Sequence, residues 1–482
     1  MPRSKFKNKP RKEGVNHLKP AFKTTDVYEN IRLELQLSQY QAFDDIIAFF
    51  DPAIRDRRFM LLTGSAGTGK TYLSGKLAEY LQKAYFCNIL LCAPTNKAVK
   101  VLKQTMQLTV GVDFSTIHSA LGLQEEIDND GNLVFRNQKQ SAVKIGNYDY
   151  VILDEASMVD DALFNLLLRE TQELGIKILF VGDKFQIPPV NYAESAVFKD
   201  DLKAKHNIKE VELTAIIRQH HKNPIIKFAN LIKESLSNPK IISELTNMPE
   251  FQHLQQIQFI PKDKEILLSV LRKHFLTPDF DADADFCKVL AWTNDRVDKF
   301  NALIRKMKYG ADAPQLVAGE KLIFDKPWMV NRKMAYGTNE EVTVKSFKVE
   351  SIELFDEVFN YYNTVVCKEG SDTTEKMNIS ILQREYYPIY EKVKQFLRDS
   401  ALAQKKGSEE AKGWWATYYS FMEKFAQIKY NYAITVHKAQ GSTYTNAVVA
   451  NYDINSNFSV IERNRIKYTA VTRPKENLYI IV

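Results

Sequence analysis

The stretch FMLLTGSAGTGKT, residues 59–71, decides the fold of this chain. It begins with an apolar run, continues through a glycine-rich turn, and ends where a helical pattern starts at Lys70. A buried strand, a tight turn and a helix in that order are the structural context of a phosphate-binding loop. Glycines let successive backbone N–H groups point at phosphate oxygens, and the helix dipole adds favourable potential there. The predicted phosphate contacts are Gly64, Ala66, Gly67, Thr68, Gly69, Lys70 and Thr71.

Two of these residues carry side-chain chemistry that a second motif completes. Lys70 would reach the β and γ phosphates of a nucleoside triphosphate, and Thr71 would place its hydroxyl on Mg²⁺. Asp154 and Glu155 follow directly after the apolar run Val151–Leu153. A carboxylate beside the loop can hold the metal through water, and an adjacent glutamate can polarise the attacking water. We therefore predict hydrolysis of a nucleoside triphosphate, with Thr71 and Asp154 at the metal.

Outside the loop, short apolar runs alternate with helical patterns. Strands that are apolar on both faces and separated by helices favour an α/β core with a parallel sheet covered on both sides. Functional residues of such a core lie at the carboxyl ends of its strands, and Gln186 there is an amide able to sense a γ phosphate. The predicted helices are Leu37–Phe50, with Ser38 as N-cap, and two that start at Lys70 and Lys97; the predicted strands are Phe59–Thr63, Ile89–Ala93, Tyr150–Leu153 and Ile178–Val181.

Three segments break this alternation and are interpreted as insertions. Asp130-Gly131 between the runs ending at Ile127 and starting at Leu133 is a β-hairpin signal. Residues 315–380 are rich in β-branched and aromatic stretches, which predicts a small all-β module. Residues 384–427 contain two aromatic-rich helical patterns. Their aromatic residues, which are expected mainly to pack in a core, include Trp414, Trp415, Tyr418 and Tyr419.

The composition limits the classes of protein. With 482 residues, 45% hydrophobic and 26% charged, the chain can bury a sizeable core, so wholesale disorder is excluded. No apolar run is long enough for a membrane span, and the N-terminus lacks the apolar stretch of a signal peptide, so we expect a soluble, unsecreted protein. The four cysteines show no C-x-x-C spacing, which predicts reduced structural thiols and no zinc site.

The net charge of +7 is concentrated at one end. Residues 1–23 carry eight basic side chains and one acidic side chain, a local +7, so the remaining chain is balanced. Such a lysine-rich segment cannot bury enough apolar surface to fold, and we expect a mobile arm. The arm either only solubilises the protein or is attracted to nucleic-acid phosphate or another polyanion.

Ten motifs occur in a fixed order between residues 41 and 473. They are Gln41, GSAGTGKT, APTNKAVKVL, STIHSAL, VILDEASM, VGDKFQIPPV, LTAIIR, LAWTN, ITVHKAQGST and YTAVTR. This ordered set resembles the superfamily 1 helicases, and within them the RecD-like branch, superfamily 1B, that moves 5′ to 3′ on DNA. It is most similar to the Dda-like phage members of that branch.

The resemblance implies two RecA-like domains that hold ATP and Mg²⁺ between them. Gln41 would read the adenine edge, and Gly441 would lie near the γ phosphate. Arg218 and Arg473 would reach the same phosphate from the second domain, so that hydrolysis requires closure. A lone arginine is usually a surface or salt-bridge residue, and only the resemblance assigns these two a catalytic role.

The resemblance also implies the domain organisation. A basic arm would occupy residues 1–30 and the first RecA-like domain residues 31–205, with a hairpin pin inserted at 122–142. The second RecA-like domain would be split into 206–314 and 429–482. An SH3-like module with a helical tower would fill the gap, residues 315–428.

The remaining motif residues would face single-stranded DNA. Small polar or flat side chains suit phosphate contact and base stacking. In this family the pin splits the duplex, and Phe135 could stack on the last base pair, although the segment before the turn lacks the family's proline-containing entry. Core packing is the alternative for Phe135 and also for His118. The implied DNA contacts are Pro94, Thr95, His118, Phe135, Thr293, Asn294, His437 and Ser442.

The favoured prediction is an ATP-dependent 5′ to 3′ DNA helicase that acts as a monomer on single-stranded DNA and the duplex junction. The resemblance suggests single-strand-binding, replication, recombination or repair proteins as further partners, and the host cytoplasm as location if a phage encodes the chain. One alternative is an RNA-directed translocase, because these motifs do not read the 2′-hydroxyl decisively. Another is an ATP-switched binding or remodelling protein that does not separate strands and has no need of a pin.

Overall fold

The computed structural model describes residues 24–482, apart from residues 52, 55, 107–110, 128–132, 138–143, 216–222, 238–255, 262, 331–332 and 369–375. The basic arm was predicted for residues 1–30, of which residues 1–23 lie outside the described residues. Residues 24–30 begin the helix Thr24–Glu34, where Val27 and Tyr28 pack against the core, so the prediction is wrong for this part. The chain divides into two compact units, one of Met1–Gly122 and Gln138–His221 and the other of Leu123–Asn137 and Lys222–Val482. In the described part of the chain, no helix is both long and apolar enough to cross a membrane.

The first unit is built on a parallel sheet of six strands. They are β1 (Phe59–Gly64), β2 (Ile89–Ala93), β3 (Val112–Thr116), β6 (Tyr150–Leu153), β7 (Lys177–Gly182) and β8 (Lys209–Leu213). Their order is β3-β2-β6-β7-β1-β8. Every residue of β1, β2, β6 and β7 is buried, as a parallel sheet covered on both faces requires. The predicted α/β core with a parallel sheet is confirmed.

The strand β8 shows that the predicted boundary between the first and second domains is misplaced. β8 pairs in parallel with β1, and Leu213 lies opposite Gly64. The boundary predicted between residues 205 and 206 falls ahead of β8 and is therefore wrong, because the first unit continues to residue 221. β8 is a partly exposed edge strand, so it lacks the continuous apolar run that marks its neighbours.

Helices of the first unit begin close to the predicted positions. The N-cap of Leu37–Phe50 is Gln36, whose backbone N–H donates to Oε1 of Gln39 at 3.3 Å. The predicted N-cap, Ser38, lies inside that helix, so the prediction is wrong. The helices are α1 (Thr24–Glu34), α2 (Leu37–Phe50), α3 (Lys70–Tyr85), α4 (Asn96–Thr105), α5 (Ile117–Ala120), α6 (Asp161–Gln172) and α7 (Asp200–Lys205).

An antiparallel hairpin interrupts the chain of the first unit between α5 and β6. β4 (Leu123–Ile127) pairs with β5 (Leu133–Asn137), and Glu125 lies opposite Phe135. The predicted hairpin is therefore confirmed, while its Asp130-Gly131 turn lies outside the described residues. Both strands group with the second unit.

The second unit contains another parallel sheet, of five strands. They are β9 (Ile257–Ile260), β10 (Cys287–Ala291), β18 (Ala433–Thr435), β19 (Tyr444–Ala450) and β20 (Pro474–Ile481), in the order β18-β10-β19-β20-β9. The chain leaves this sheet after β10 and returns at β18, so the intervening segment is an insertion, as predicted. The helices outside the insertion are α8 (Pro224–Ser237), α9 (Lys264–Phe275), α10 (Pro278–Ala282), α11 (Asn294–Tyr309), α14 (Asn451–Ile454) and α15 (Val460–Val471).

The insertion, called the module below, comprises residues 315–430. Its strands are β11 (Lys321–Phe324), β12 (Trp328–Val330), β13 (Lys333–Tyr336), β14 (Glu341–Leu354), β15 (Glu357–Lys368), β16 (Lys376–Leu382) and β17 (Ile428–Tyr430), followed in the chain after β16 by α12 (Tyr387–Leu402) and α13 (Glu409–Met422). Five strands form an antiparallel sheet in the order β16-β15-β14-β11-β17. Trp415 and Tyr418 are buried among Phe359, Leu382 and Leu397, so the aromatic residues pack in a core as predicted.

Candidate functional site

The predicted phosphate-binding loop connects β1 to α3. Gly69 precedes the helix with φ 79° and ψ 27°, a left-handed conformation that residues with a Cβ rarely adopt. A Cβ on Gly64 would lie 2.6 Å from the hydroxyl oxygen of Thr68. That hydroxyl is buried and donates to the carbonyl of Ser65 at 2.9 Å. The loop is therefore closed by its own threonine, and glycine at position 64 leaves room for it.

Lys70 folds back over this loop from the first position of α3. Its Nζ donates to the carbonyl oxygen of Gly64 at 2.6 Å and to that of Ser65 at 3.2 Å. Both acceptors are neutral, and hydrogen bonds from an ammonium group to an anion are stronger than those to a neutral carbonyl. A phosphate placed at the loop would therefore compete successfully for this ammonium group.

The structure brings together the two residues predicted to hold the metal. The hydroxyl of Thr71 donates to Oδ2 of Asp154 at 3.2 Å, and the Glu155 N–H donates to Oδ1 at 2.8 Å. Burial raises the pKa of the Asp154 carboxyl, while the Glu155 N–H, the charge of Lys70 and the Thr71 hydroxyl oppose this shift. Hydroxyl and carboxylate oxygens are hard ligands, and a cation beside them would favour the ionised carboxylate. The pair therefore fits Mg²⁺.

Glu155 and Gln186 follow neighbouring strands of the same sheet. Glu155 is half-buried, with φ 54° and ψ 41°, a left-handed conformation that is uncommon for a residue with a side chain and is enriched at functional sites. Gln186 is 6% exposed, and its Oε1 accepts no hydrogen bond. A buried amide oxygen without a partner is costly, and a ligand or water that donates to it would remove the cost.

The glutamine that contacts the loop is Gln39, which the sequence analysis missed. Its Nε2 donates to the carbonyl of Thr68 at 3.4 Å, and its side chain is buried. Gln41, assigned to adenine by resemblance, is exposed on the same helix, α2. Side chains two positions apart on a helix face different directions, so a contact with the loop by one excludes the same contact by the other. Gln39 fixes α2 against the loop.

In the second unit, the predicted nucleotide contacts Gly441 and Arg473 lie near each other in the fold. Gly441 precedes Ser442 in the loop between β18 and β19, and the Arg473 guanidinium donates to the Ser442 carbonyl at 3.2 Å. The same guanidinium donates to the carbonyl of Thr469 at 3.0 Å and is buried. Arg218 lies outside the described residues.

Three predicted DNA contacts of the first unit follow adjoining strands. Pro94 and Thr95 come after β2, and His118 comes shortly after β3, which pairs with β2 in parallel. His118 hydrogen-bonds to the backbone carbonyl of Pro94, and burial lowers the pKa of its imidazole. The Thr95 hydroxyl accepts from the N–H of Ala98 and caps α4. Phe135 lies on β5, and its side chain is outside the described part of the structure.

The predicted DNA contacts of the second unit are less uniform. Thr293 is the N-cap of α11, and its hydroxyl donates to Oδ1 of Asp453 at 2.9 Å. Asp453, which was not predicted, also accepts the Thr293 N–H and so orients this strand end. Asn294 is exposed, and His437 is half-buried with its pKa lowered by burial. Ser442 is 1% exposed, which does not support the direct contact expected of it.

Three features define a P-loop nucleoside triphosphatase: a glycine loop between a buried strand and a helix, a lysine over that loop, and a contact between the following threonine and the aspartate after β6. Residues 35–248 match the AAA domain family, and residues 430–481 match the family described as UvrD-like helicase C-terminal domain. The chain is homologous to the superfamily 1B helicases Dda, RecD2 and Pif1.

Two relatives and one solved structure are similar to this chain to different extents. The ATP-dependent DNA helicase Dda of Enterobacteria phage T4 is 25% identical over 467 residues, which cover 93% of this chain and 99% of the relative. The ATP-dependent RecD2 DNA helicase of Deinococcus radiodurans is 34% identical over 173 residues, 36% of this chain and 21% of the relative. The crystal structure of the Pif1 helicase from Candida albicans aligns with a TM-score of 0.49 at 17% identity, covering 93% of this chain and 94% of that one.

Proposed function

We propose that this chain is an ATP-dependent DNA helicase that moves 5′ to 3′ on single-stranded DNA and separates duplex DNA. The observation that carries the proposal is that the Thr71 hydroxyl lies 3.2 Å from the Asp154 carboxylate. The preceding residue, Lys70, lies over the glycine loop. This is the constellation that ATP with Mg²⁺ requires. The similarity over 93% of this chain to a protein named ATP-dependent DNA helicase supports DNA as the second ligand.

Each residue of the site then has a role. The backbone N–H groups of residues 64–69 would cradle the phosphates, and Lys70 would move from the loop carbonyls to the β and γ phosphates. Bound Mg²⁺, held by Thr71 and Asp154, would neutralise charge on the phosphates. Glu155 would orient and polarise the attacking water, and Gln186 would donate its amide to the γ phosphate. Gln41 would read the adenine edge.

The two parallel sheets support the assignment of two RecA-like domains. We propose that Arg473 and Gly441 of the second unit contribute to the nucleotide site, together with Arg218, which precedes the main segment of that unit, Lys222–Val482, in the chain. Arg473 is held by two backbone carbonyls of its own unit, an arrangement that orients a guanidinium before any ligand arrives. The hairpin β4–β5 would act as the pin, with Phe135 as its wedge, and the module would be the SH3-like domain with its helical tower.

Single-stranded DNA would be gripped by both RecA-like domains. Pro94, Thr95 and His118 would contact it on the first, and Thr293, Asn294 and His437 on the second. Alternating grips during cycles of closure would convert ATP turnover into directed movement by a monomer. The 5′ to 3′ direction rests on homology to the superfamily 1B branch.

Replacing Lys70 tests the catalytic assignment. Lys70→Ala should abolish DNA-stimulated ATP hydrolysis while leaving DNA binding largely intact, because the lysine contacts phosphates and not DNA. Lys83→Ala is a matched control, since Lys83 lies in the same helix, is exposed and pairs with Glu79. ATPase activity that persists in Lys70→Ala would refute the assignment.

Strand displacement on tailed duplexes tests direction and substrate. The unmodified protein should displace a strand from a DNA duplex with a 5′ single-stranded tail and not from one with a 3′ tail. The same tails made of RNA should support displacement poorly. Displacement from 3′ tails would overturn the direction, and preference for RNA tails would favour the RNA-directed alternative. ATP hydrolysis without displacement on any substrate would favour the nucleotide-switched alternative.

A further inference from the structure

The module is joined to the second parallel sheet by two crossings of the chain. The outgoing crossing runs from the end of α11 to β11, and the returning one runs from β17 to β18. β11 and β17 pair antiparallel, with Leu322 opposite Tyr430, so both crossings lie side by side. Two adjacent segments of chain would act as a hinge unless side chains fix them.

A buried ion pair fixes the outgoing crossing. Arg305, on the last turns of α11, binds Glu320 at two points, with Nε 2.7 Å from Oε1 and Nη2 3.3 Å from Oε2. Arg305 is 7% exposed and Glu320 is 1% exposed. The guanidinium carbon also lies 4.6 Å above the ring of Tyr430, at the returning crossing. Arg305 therefore holds both crossings at once.

The two adjacent crossings are together called the joint below. The carboxylate of Glu320 accepts hydrogen bonds from groups on both sides of this joint. Its Oε1 accepts from the hydroxyl of Tyr432 at 3.2 Å, and its Oε2 accepts from the N–H of Val317 at 3.2 Å. A buried carboxylate and guanidinium tolerate loss of their partners poorly, because each would remain desolvated and unpaired. A bend at the joint would impose that loss, so the pair opposes bending.

A second ion pair connects the module to the loop that carries Gly441 and Ser442. Nζ of Lys438, in that loop, donates to Oδ1 of Asp325 at 2.7 Å. Asp325 directly follows β11, and its N–H donates to the carbonyl of Gln427 next to β17. This salt bridge therefore connects the loop to the base of the module.

We propose that Asp325, acting through Lys438, and Glu320, acting through Arg305, are positioning residues for strand separation, which fix the module as a rigid extension of the second parallel sheet. The inference rests on the proposed helicase function, and it adds which residues transmit movement of the second sheet to the module. ATP hydrolysis needs the loop and the strand ends, while strand separation also needs the module to follow them. Loosening the joint should therefore uncouple the two activities.

The decisive variants are Asp325→Ala and Glu320→Gln, each compared with the unmodified protein for single-strand-stimulated ATPase and for duplex separation. We expect duplex separation per ATP hydrolysed to fall about tenfold, while kcat of the ATPase and its KM for DNA stay within about twofold. Asp325→Glu, which keeps a carboxylate, should restore most of the coupling. Glu409→Gln removes an exposed salt bridge within α13 and should change neither activity.

Equal losses of ATPase and duplex separation in the variants, or no loss at all, would refute the proposed role of Asp325 and Glu320. Neither result would refute the proposed helicase function. Absence of duplex separation by the unmodified protein on every substrate would instead refute the proposed function.

A distance measurement tests the joint without using either activity. Donor and acceptor dyes at Val349→Cys, on β14, and Ile461→Cys, on α15, use exposed positions on the two sides of the joint. Cys367→Ser would remove the half-buried native thiol, since Cys87, Cys92 and Cys287 are buried. The dye distance should have one narrow distribution in the unmodified protein and a broad one in Asp325→Ala. Equally narrow distributions would overturn the proposal.

Discussion

His274 makes the stability of the second unit depend on pH in a direction that can be calculated. It lies on α9, is 4% exposed, and neither ring nitrogen has a hydrogen-bond partner. Its ring centroid is 4.9 Å from that of Tyr479 and 6.2 Å from that of Phe286. Burial, and secondarily the charge of Lys273, lowers the pKa of His274 to about 4 from an ordinary value of 6.5. The folded protein therefore holds this imidazole neutral where the unfolded chain protonates it.

The sign and size of the effect follow from linkage. Between pH 6.5 and pH 4 the unfolded chain binds more protons at this site than the folded chain, so the free energy of unfolding falls as the pH falls. With pKa values of 6.5 unfolded and about 4 folded, lowering the pH from 8 to 5 costs about 2 kcal/mol. His274→Phe keeps an aromatic ring in the same apolar site and removes the titration, so this part of the pH dependence should disappear.

Tryptophan fluorescence in urea reports on this unit selectively. The four tryptophans, Trp292, Trp328, Trp414 and Trp415, all lie within Lys222–Val482. The free energy of unfolding of the unmodified protein should fall by about 2 kcal/mol more than that of His274→Phe between pH 8 and pH 5. His206→Phe, in the first unit, is the control and should behave like the unmodified protein. Parallel losses in the unmodified protein and His274→Phe would refute the reasoning.

Three further changes have defined outcomes. Gly64→Ala should abolish binding of an ATP analogue, measured by calorimetry, because its Cβ would lie 2.6 Å from a buried hydroxyl; Gly413→Ala, with nothing within 4 Å, should leave binding unchanged. Lys467→Met should raise the free energy of unfolding by up to about 3 kcal/mol at pH 7, because burial lowers the pKa of Lys467 to about 8 from 10.5. Urea titrations should show this gain vanishing as the pH rises from 8 to 10.5, where the unfolded chain also loses the proton. Phe135→Ala should slow duplex separation far more than single-strand-stimulated ATPase, and equal losses in the two assays would point to a packing role.

The nucleotide site of the first unit was predictable because its signals are local. Apolar runs on both faces mark β1, β6 and β7, and the residues that follow them carry the chemistry. In a parallel sheet the carboxyl ends of the strands share one edge, so sequence order alone predicted that Thr71 and Asp154 would meet. The contact between them joins residues far apart in the chain, but the rule that places them together is general.

What could not be predicted depends on contacts without a local pattern. Gln39 and Gln41 are the same residue type on one helix, and only the packing of α2 decides which reaches the loop. Asp453 and Asp325 look like ordinary surface carboxylates in the sequence, yet they bind Thr293 and Lys438 in distant segments. β8 escaped detection because an edge strand needs no continuous apolar run.

The strand order of the second parallel sheet makes its first strand in the chain, β9, depend for pairing on its last strand, β20. β9 occupies an edge of that sheet, and within the part of the chain that the structure describes its one neighbour is β20. β20 comes from the far side of the module in the chain, so β9 stays without a partner until everything between them has been synthesised and ordered. Long-range pairing of this kind is slow and leaves an apolar edge open to misassociation. Loss of Pro474–Ile481 would therefore damage the sheet at its first strand as well as at its last.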